Sequence, residues 1–482
     1  MIQFKRVMAY RLVILLFLGY FSGMPKRAEA EQSEKEKDAP NLIIIMTDDM
    51  GYKDVGFNGC QDIPTPNIDR IAENGVQFTS GYVTYAVSSP SRAGLITGRY
   101  PQRFGFERNP LYRPDDPNMG LPREEMTMAS SLSKVGYTCG VIGKWHLGAH
   151  PTLHPLNRGF DEFFGHLGGG HRYFPDELIY KDSYAISEES KSYKTWIMKN
   201  HGHVKTEKYL TDEFSDEAVR FVDKHQEDPF FLFLSYNAPH APLQATEKYL
   251  DRFSHIKDRK RRIYSAMVSA VDDGVGRLLD KLEQLQLEEE TLIFFLSDNG
   301  RPEGKNGSDN GVLRAGKGSC YEGGFRVPFA MQWKGTISPG TYDQPVSSMD
   351  IFGTISALTE SPTQPDKPLD GVNLLPYVKG KSQGSPHQAI YLRQYDAKRF
   401  AVRKGDYKLV TKENAAVKEL YNLQQDIGEE HNIAGDRPQK LQQINILRKD
   451  WNDELIRPAF LGLIHGGAWG WEPKEEEIYE VK

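Results

Sequence analysis

Three short runs in this chain are apolar almost from end to end and close on oxygen-bearing side chains: NLIIIMTDDMG from Asn41, DPFFLFLSYNAPH from Asp228 and TLIFFLSDNG from Thr291. A strand with one face in water alternates apolar with polar residues. Continuous apolar runs instead belong to strands covered on both faces, as in a parallel sheet between helices. Between the second and third runs, Ile263, Met267, Val271, Val275, Leu278 and Leu282 recur at helical spacing within 258–287. Strand, helix, strand predicts an α/β fold, a large mostly parallel sheet sandwiched by helices. From about Asp370 the pattern changes to short alternating strand–turn units, AVRKGDYKLV and ELYNLQQDIGEEHNIA, and a helical segment over 436–455. This predicts a smaller C-terminal antiparallel α+β domain over 371–482, after a larger domain over 40–370.

Open α/β sheets bind ligands beyond the carboxyl ends of their strands. Those ends carry Asp48 and Asp49, Asn237 with His240, and Asp298 with Asn299. A further apolar stretch, YTCGVIGKWHLG, delivers Lys144 and His146, two apart and so able to face one way on an extended segment. Asp48, Asp49, Asp298 and Asn299 make an oxygen-only donor set suited to Ca²⁺ or Mg²⁺ rather than zinc. One pair alone would read as a cap on a turn; two pairs on strand ends favour the metal.

The stretch YAVSSPSRAGLITGRYPQR, Tyr85 to Arg103, has two readings. In one, Ser89 caps a helix, Pro90 is its first residue and Gly98 ends it. In the other, the helix start presents Ser88 and Arg92 to an anion. Lys317 lies in GKGSCYEGGFRVP, where glycines permit close backbone approach to a ligand.

A net charge of −6 gives no reason to expect nucleic acid or an anionic membrane as partner, so an anionic substrate needs a local cluster of cations. At the N-terminus, Lys5, Arg6 and Arg11 precede the apolar run Leu12–Leu18, and Ala28-Glu29-Ala30 is a small-x-small cleavage site. Residues 1–30 read as a secretory signal, too short in its apolar part for a stop-transfer helix, with a charged leader over 31–39. The expected location is the periplasm or outside the cell. Cys60, Cys139 and Cys320 are too few for a disulfide scaffold; whether two of them pair is left open.

SSPSRAGLITGR, Ser88 to Arg99, resembles the signature of type I sulfatases: Cys or Ser, any residue, Pro, Ser, Arg, three residues, an aliphatic, Thr, Gly, Arg. The resemblance continues in family order through MTDDMGYKDVGFNG, TPNIDRIAENGVQFT, VIGKWHLG, NRGFDEFFG, APHAP, SDNG, GKGSCYEGGFRVP and the C-terminal RKGDYKLV…ELYNLQQD. It implies an alkaline phosphatase-like fold and a sulfuric ester hydrolase. It places Ser88 where sulfatases carry Cα-formylglycine (3-oxoalanine), and Ca²⁺ on Asp48, Asp49, Asp298 and Asn299 with residue 88. Ser91 and Arg92 fall on the second serine and the arginine that steadies the modified residue. Serine at position 88 resembles the bacterial subgroup matured by a radical S-adenosylmethionine enzyme; an oxygen-dependent oxidase would leave it untouched.

The resemblance further implies that Lys144 and Lys317 hold sulfate charge, that His240 protonates the departing sugar oxygen, and that His146 takes the proton that lets sulfate leave. HLGGGHRYF brings His166, His171 and Arg172 towards the mouth of the site, and LRAGKG brings Arg314 beside Lys317, so His171 and Arg314 are candidate substrate contacts. In the tail LIHGGAWGWEP, Trp469 and Trp471 are expected to pack rather than stack on sugars. The expected substrate is a sulfated saccharide, first of all a galactose-type sugar sulfated at O4. Two rival readings are a phosphoric ester hydrolase of the same superfamily and an unmodified glycan-binding homologue.

Overall fold

The computed structural model of the protein describes residues 39–177 and 195–465. The signal proposed for 1–30, the leader proposed for 31–39 except its last residue, and the tail with Trp469 and Trp471 lie outside the described residues. Ten strands form one sheet, in the order Gly340–Tyr342, Val76–Phe78, Phe329–Gln332, Thr291–Ser297, Asn41–Thr47, Phe230–Ser235, Thr138–Lys144, Glu162–His166, Met198–Lys199 and Gly202–His203. The five strands from Thr291–Ser297 to Glu162–His166 pair in parallel. Antiparallel partners flank them on both sides.

The all-apolar runs sit at the centre, as continuous burial requires. Along Asn41–Thr47 every residue is buried. Leu42, Ile44 and Met46 point into one core with Leu95, Ile96 and Phe352, while Ile43 and Ile45 point into the opposite core with Met267, Val271 and Leu278. Period-two geometry thus divides one isoleucine-rich run between two helix layers. Arg259–Gln284 is the long helix of the second layer, and Asp258 caps it by accepting a hydrogen bond from Arg261 N at 2.7 Å. No helix among the described residues is long and apolar enough to cross a membrane.

In the C-terminal region Ile390–Gln394, Arg399–Lys404, Tyr407–Lys412 and Val417–Asn422 form a four-stranded antiparallel sheet. The turn between the second and third of these uses Gly405 at φ 57°. Helix Pro438–Asp453 packs on this sheet through Ile444. The described residues from Ala39 onward form one compact unit that contains the ten-stranded and the four-stranded sheets. All three cysteines are free thiols, which closes the question of a disulfide.

Candidate active site

Parallel pairing sets the acidic pairs side by side. Thr47 is in register with Ser297, so Asp48-Asp49 and Asp298-Asn299 leave adjacent strands at the same level. The backbone N–H of Asp49 donates to Asp298 Oδ1 at 3.3 Å, and Asn299 Nδ2 donates to Asp49 Oδ1 at 2.7 Å. Asp49 reaches this position in the left-handed region, at φ 65°. Helix Ser88–Thr97 starts directly over the cluster. Ser88 Oγ lies 3.1 Å from Asp48 Oδ1 and 3.1 Å from Asn299 Oδ1, so its hydroxyl serves one of them at a time.

The helix start differs from the capping reading. Val87, extended at φ −142°, is the N-cap, no side chain caps the helix, and Ser88 is already its first residue. Ser89 does not cap because its hydroxyl donates instead to the backbone carbonyl of His146. Gly98 does end the helix, left-handed at φ 65°.

Each acid has a cation. Arg92 donates to Asp298 Oδ2 through Nε at 3.0 Å and Nη2 at 2.8 Å, and reaches the Lys144 carbonyl and Ser235 Oγ through Nη1. Lys144 Nζ is 2.6 Å from Asp48 Oδ2, and Lys317 Nζ is 2.7 Å from Asp49 Oδ1. His240 Nε2 stands 3.5 Å from Asp49 Oδ2. Burial opposes ionisation of Asp48 and Asp49, but Lys144 for the first, Lys317 for the second and His240 for both outweigh it, holding both below the usual carboxylate range. Burial pulls Lys144 below its ordinary value although Asp48 opposes this. Arg92, Lys144, Asp48 and Asp298 are sealed from solvent, whereas the side chains of Lys317 and His240 keep 19% and 12% of their exposure. Lys317 and His240 are thus the two of these groups that open to solvent.

The donor set suits a hard divalent cation. Asp48 and Asp298 each give Oδ2 to a basic side chain, while Asp48 Oδ1 accepts from Ser88 Oγ and Asp298 Oδ1 from the backbone N–H of Asp49. Asp48, Asp49 and His240 are the one group of three metal-ligating His, Cys, Asp or Glu side chains within mutual reach among the described residues. With three carboxylates opposed to Arg92, Lys144 and Lys317, the cluster is formally neutral. A divalent ion would leave it positive, the sign an anionic ester requires.

His146 reaches the site by a turn rather than by strand alternation. It lies beyond strand Thr138–Lys144 at φ 59°, buried, with neither ring nitrogen hydrogen-bonded. Burial, then Lys144, Arg92 and Lys317, hold its ring well below the ordinary imidazole value, so it is neutral.

Two residues expected as substrate contacts are otherwise occupied. His171 is buried and has a ring nitrogen 2.9 Å from each of the carbonyls of Arg172 and Thr195, which fixes it as a loop brace. Arg314 lies over the Tyr321 ring at 3.9 Å and donates to Tyr421 Oη and the Glu429 carbonyl, turned to the C-terminal sheet.

Two groups went unread in the sequence. Ser235, the last residue of an apolar strand, accepts from Arg92 and donates to the Lys144 carbonyl at 2.7 Å. Lys408 is fully buried, 2.9 Å from Glu322 Oε1 and 2.8 Å from Glu429 Oε1, and so ties the C-terminal sheet to the segment that follows Lys317. Only its place in the pattern KGDYKLV distinguishes it from a surface lysine.

A serine at a helix start, facing buried acids and an amide with three cations around them at the carboxyl edge of a parallel sheet, is a centre for displacing the oxygen of an anionic ester. The chain belongs to the sulfatase family: the family described as Sulfatase matches residues 40–361, and the C-terminal family of N-sulphoglucosamine sulphohydrolase matches 316–455. It is a type I sulfatase of the alkaline phosphatase superfamily, a sulfuric ester hydrolase. Among relatives, it is 35% identical to the N-acetylgalactosamine-6-sulfatase of Mus musculus over 384 residues, 74% of this chain and 71% of that one. It is 33% identical to an arylsulfatase of Hemicentrotus pulcherrimus over 392 residues, 77% of this chain and 67% of that one. The solved structure of Ps i-CgsB in complex with k-i-k-neocarrahexaose superposes with a TM-score of 0.82 at 39% identity, covering 90% of this chain and 97% of that one.

Proposed function

We propose that the protein removes sulfate from a sulfated galactose-type saccharide, with Ser88 matured to formylglycine by a radical S-adenosylmethionine enzyme and Ca²⁺ held by Asp48, Asp49, Asp298, Asn299 and residue 88. When present, the ion supplies Lewis acidity at the sulfate, and the hydrated aldehyde supplies two geminal hydroxyls, one to attack sulfur and one whose proton is given up.

The chain's own residues supply the rest. Arg92 holds Asp298 and is in turn held by Ser235 and the Lys144 carbonyl, so the donor set is fixed before substrate arrives. Lys144 and Lys317 offer ammonium donors to sulfate oxygens at the cost of their bonds to Asp48 and Asp49. His240, partly open at the entrance, donates a proton to the departing sugar oxygen. His146, buried and neutral, accepts the proton from residue 88 that lets sulfate leave. His171 and Arg314 act on the substrate indirectly, through the segments they brace.

The observation that carries this reading is the position of Ser88 Oγ, 3.1 Å from both Asp48 Oδ1 and Asn299 Oδ1. A galactose-type substrate is supported by the relative named for N-acetylgalactosamine and by the neighbour solved with a carrageenan oligosaccharide. Sulfate at O4 is carried by neither name and is the narrower part of the proposal. On the same reading, residues 1–30 direct export to the periplasm or beyond, and 371–482 form a domain that braces the catalytic one over 40–370.

The test is expression with a serine-type radical maturase without oxygen, then mass analysis of the Ser88 peptide and assay on defined sulfated saccharides and matched phosphate monoesters. Loss of two hydrogens at residue 88 together with release of sulfate from a galactose-type sugar is expected. Turnover by protein whose Ser88 is unmodified would overturn the mechanism, and preference for phosphate esters would overturn the activity.

A further inference from the structure

His146 is held in a conformation that side-chain-bearing residues rarely adopt, left-handed at φ 59°, and its ring makes no hydrogen bond. Something other than its own preferences must fix where that ring points. Its backbone N–H donates to the Leu167 carbonyl at 3.2 Å, and its carbonyl accepts from the hydroxyl of Ser89, which is fully buried. Ser89 is itself fixed through its N–H, which donates to Asn109 Oδ1 at 3.0 Å. The peptide of His146 is thus clamped between the loop after strand Glu162–His166 and the first turn of helix Ser88–Thr97.

The ring is bounded from the other side. Gly169 lies so close that a Cβ built there would come within 2.6 Å of His146 Nε2 and 2.8 Å of Cε1. Gly169 is not in the left-handed region, so its backbone would accept alanine; the ring is what excludes a side chain.

We propose that Ser89 and Gly169 are positioning residues that aim His146 at residue 88: the Ser89 hydroxyl fixes the peptide, and the bare Cα of Gly169 makes room for the ring. The same helix turn therefore presents the reacting residue and, one position later, the group that orients its proton acceptor. This rests on the reading above in which His146 moves a proton.

The decisive measurement is a pair of double-mutant cycles, Ser89→Ala and Gly169→Ala, each made in the wild-type and His146→Ala backgrounds, with rates taken per converted residue 88 by peptide mass. Each single change is expected to lower kcat by about ten-fold or more, with KM moving less than about three-fold; in the His146→Ala background the loss shrinks below about two-fold. A merely structural role would cost the same in both backgrounds, and that result, or full activity in both single variants, overturns the proposal. Gly169→Ala keeps the test alive if Ser89→Ala impairs folding or maturation. Crystal structures of the two variants give a readout without turnover: a displaced His146 ring supports the assignment, and an unmoved ring sinks it. Wild-type protein that releases no sulfate would count against the proposed function, while the ring position would still decide this inference.

Discussion

Arg92 and Asp298 meet wholly out of solvent, and both donors of the guanidinium edge fall on the same carboxylate oxygen, Oδ2. Oδ1 is thereby left for the backbone N–H of Asp49 and for a cation. Arg92→Ala would strand a buried carboxylate, so it should cost about 3–5 kcal/mol of stability. It should also remove a few kcal/mol of transition-state stabilisation at most, about what loss of one preorganised contact costs. Arg92→Lys should retain more stability than activity, because one ammonium cannot serve Asp298, Ser235 and the Lys144 carbonyl together. Chemical denaturation and sulfate release, measured on the same preparations, check both statements.

Removing divalent ions should lower thermal stability, because an ion held by the folded site and not by the unfolded chain adds its binding free energy to the folded state. Adding Ca²⁺ back at about a hundred times its dissociation constant should restore about 2.7 kcal/mol. Asp298→Asn and Asp49→Asn should blunt this response, and a larger gain from zinc than from calcium would contradict the oxygen-donor assignment. Thermal scans in chelator, Ca²⁺ and Zn²⁺ give the answer.

Glu107 is buried against Arg393, with Nε and Nη2 of the arginine at 3.0 and 2.5 Å from Oε1. Burial outweighs the arginine and raises its pKa from 4.5 to about 7. A carboxylate with a raised folded-state pKa contributes stability that is full below its unfolded value and is lost as pH rises through the folded one. Between pH 4.5 and 7 the wild type should therefore lose up to roughly 3 kcal/mol relative to Glu107→Gln. Parallel urea titrations of the two proteins across that range would show equal slopes if the assignment is wrong.

Lys408→Met leaves Glu322 and Glu429 facing each other in the interior, beside Arg326 and Arg403. A loss of about 3–5 kcal/mol is expected. The change in Glu322→Gln with Lys408→Met together should be smaller than the sum of the two alone. Urea unfolding of the four proteins in the cycle measures this.

The readable parts of the chain were those whose environment is uniform along a segment. Leu42 to Met46 read as a strand covered on both faces, because five consecutive large apolar side chains need burial on every side and the short, isoleucine-rich run favours a strand over a buried helix. Ile263 to Leu282 had to be one face of a helix for the same reason. Ser88, Arg92 and the acids at strand ends were legible because the catalytic signature is local and strand ends collect ligands.

Contacts made by single side chains across the fold were not. Ser89 reads as an N-cap from sequence alone, yet its hydroxyl serves the His146 carbonyl fifty-seven positions away. His171 and Arg314 carry the right chemistry for a sugar sulfate, and only packing shows that backbone carbonyls and Tyr321 have claimed them. Periodicity determined the layers and the site's edge, since burial acts on whole segments; tertiary structure decided which polar atom each side chain met, since a hydrogen bond depends on a few tenths of an ångström that no spacing along the chain records.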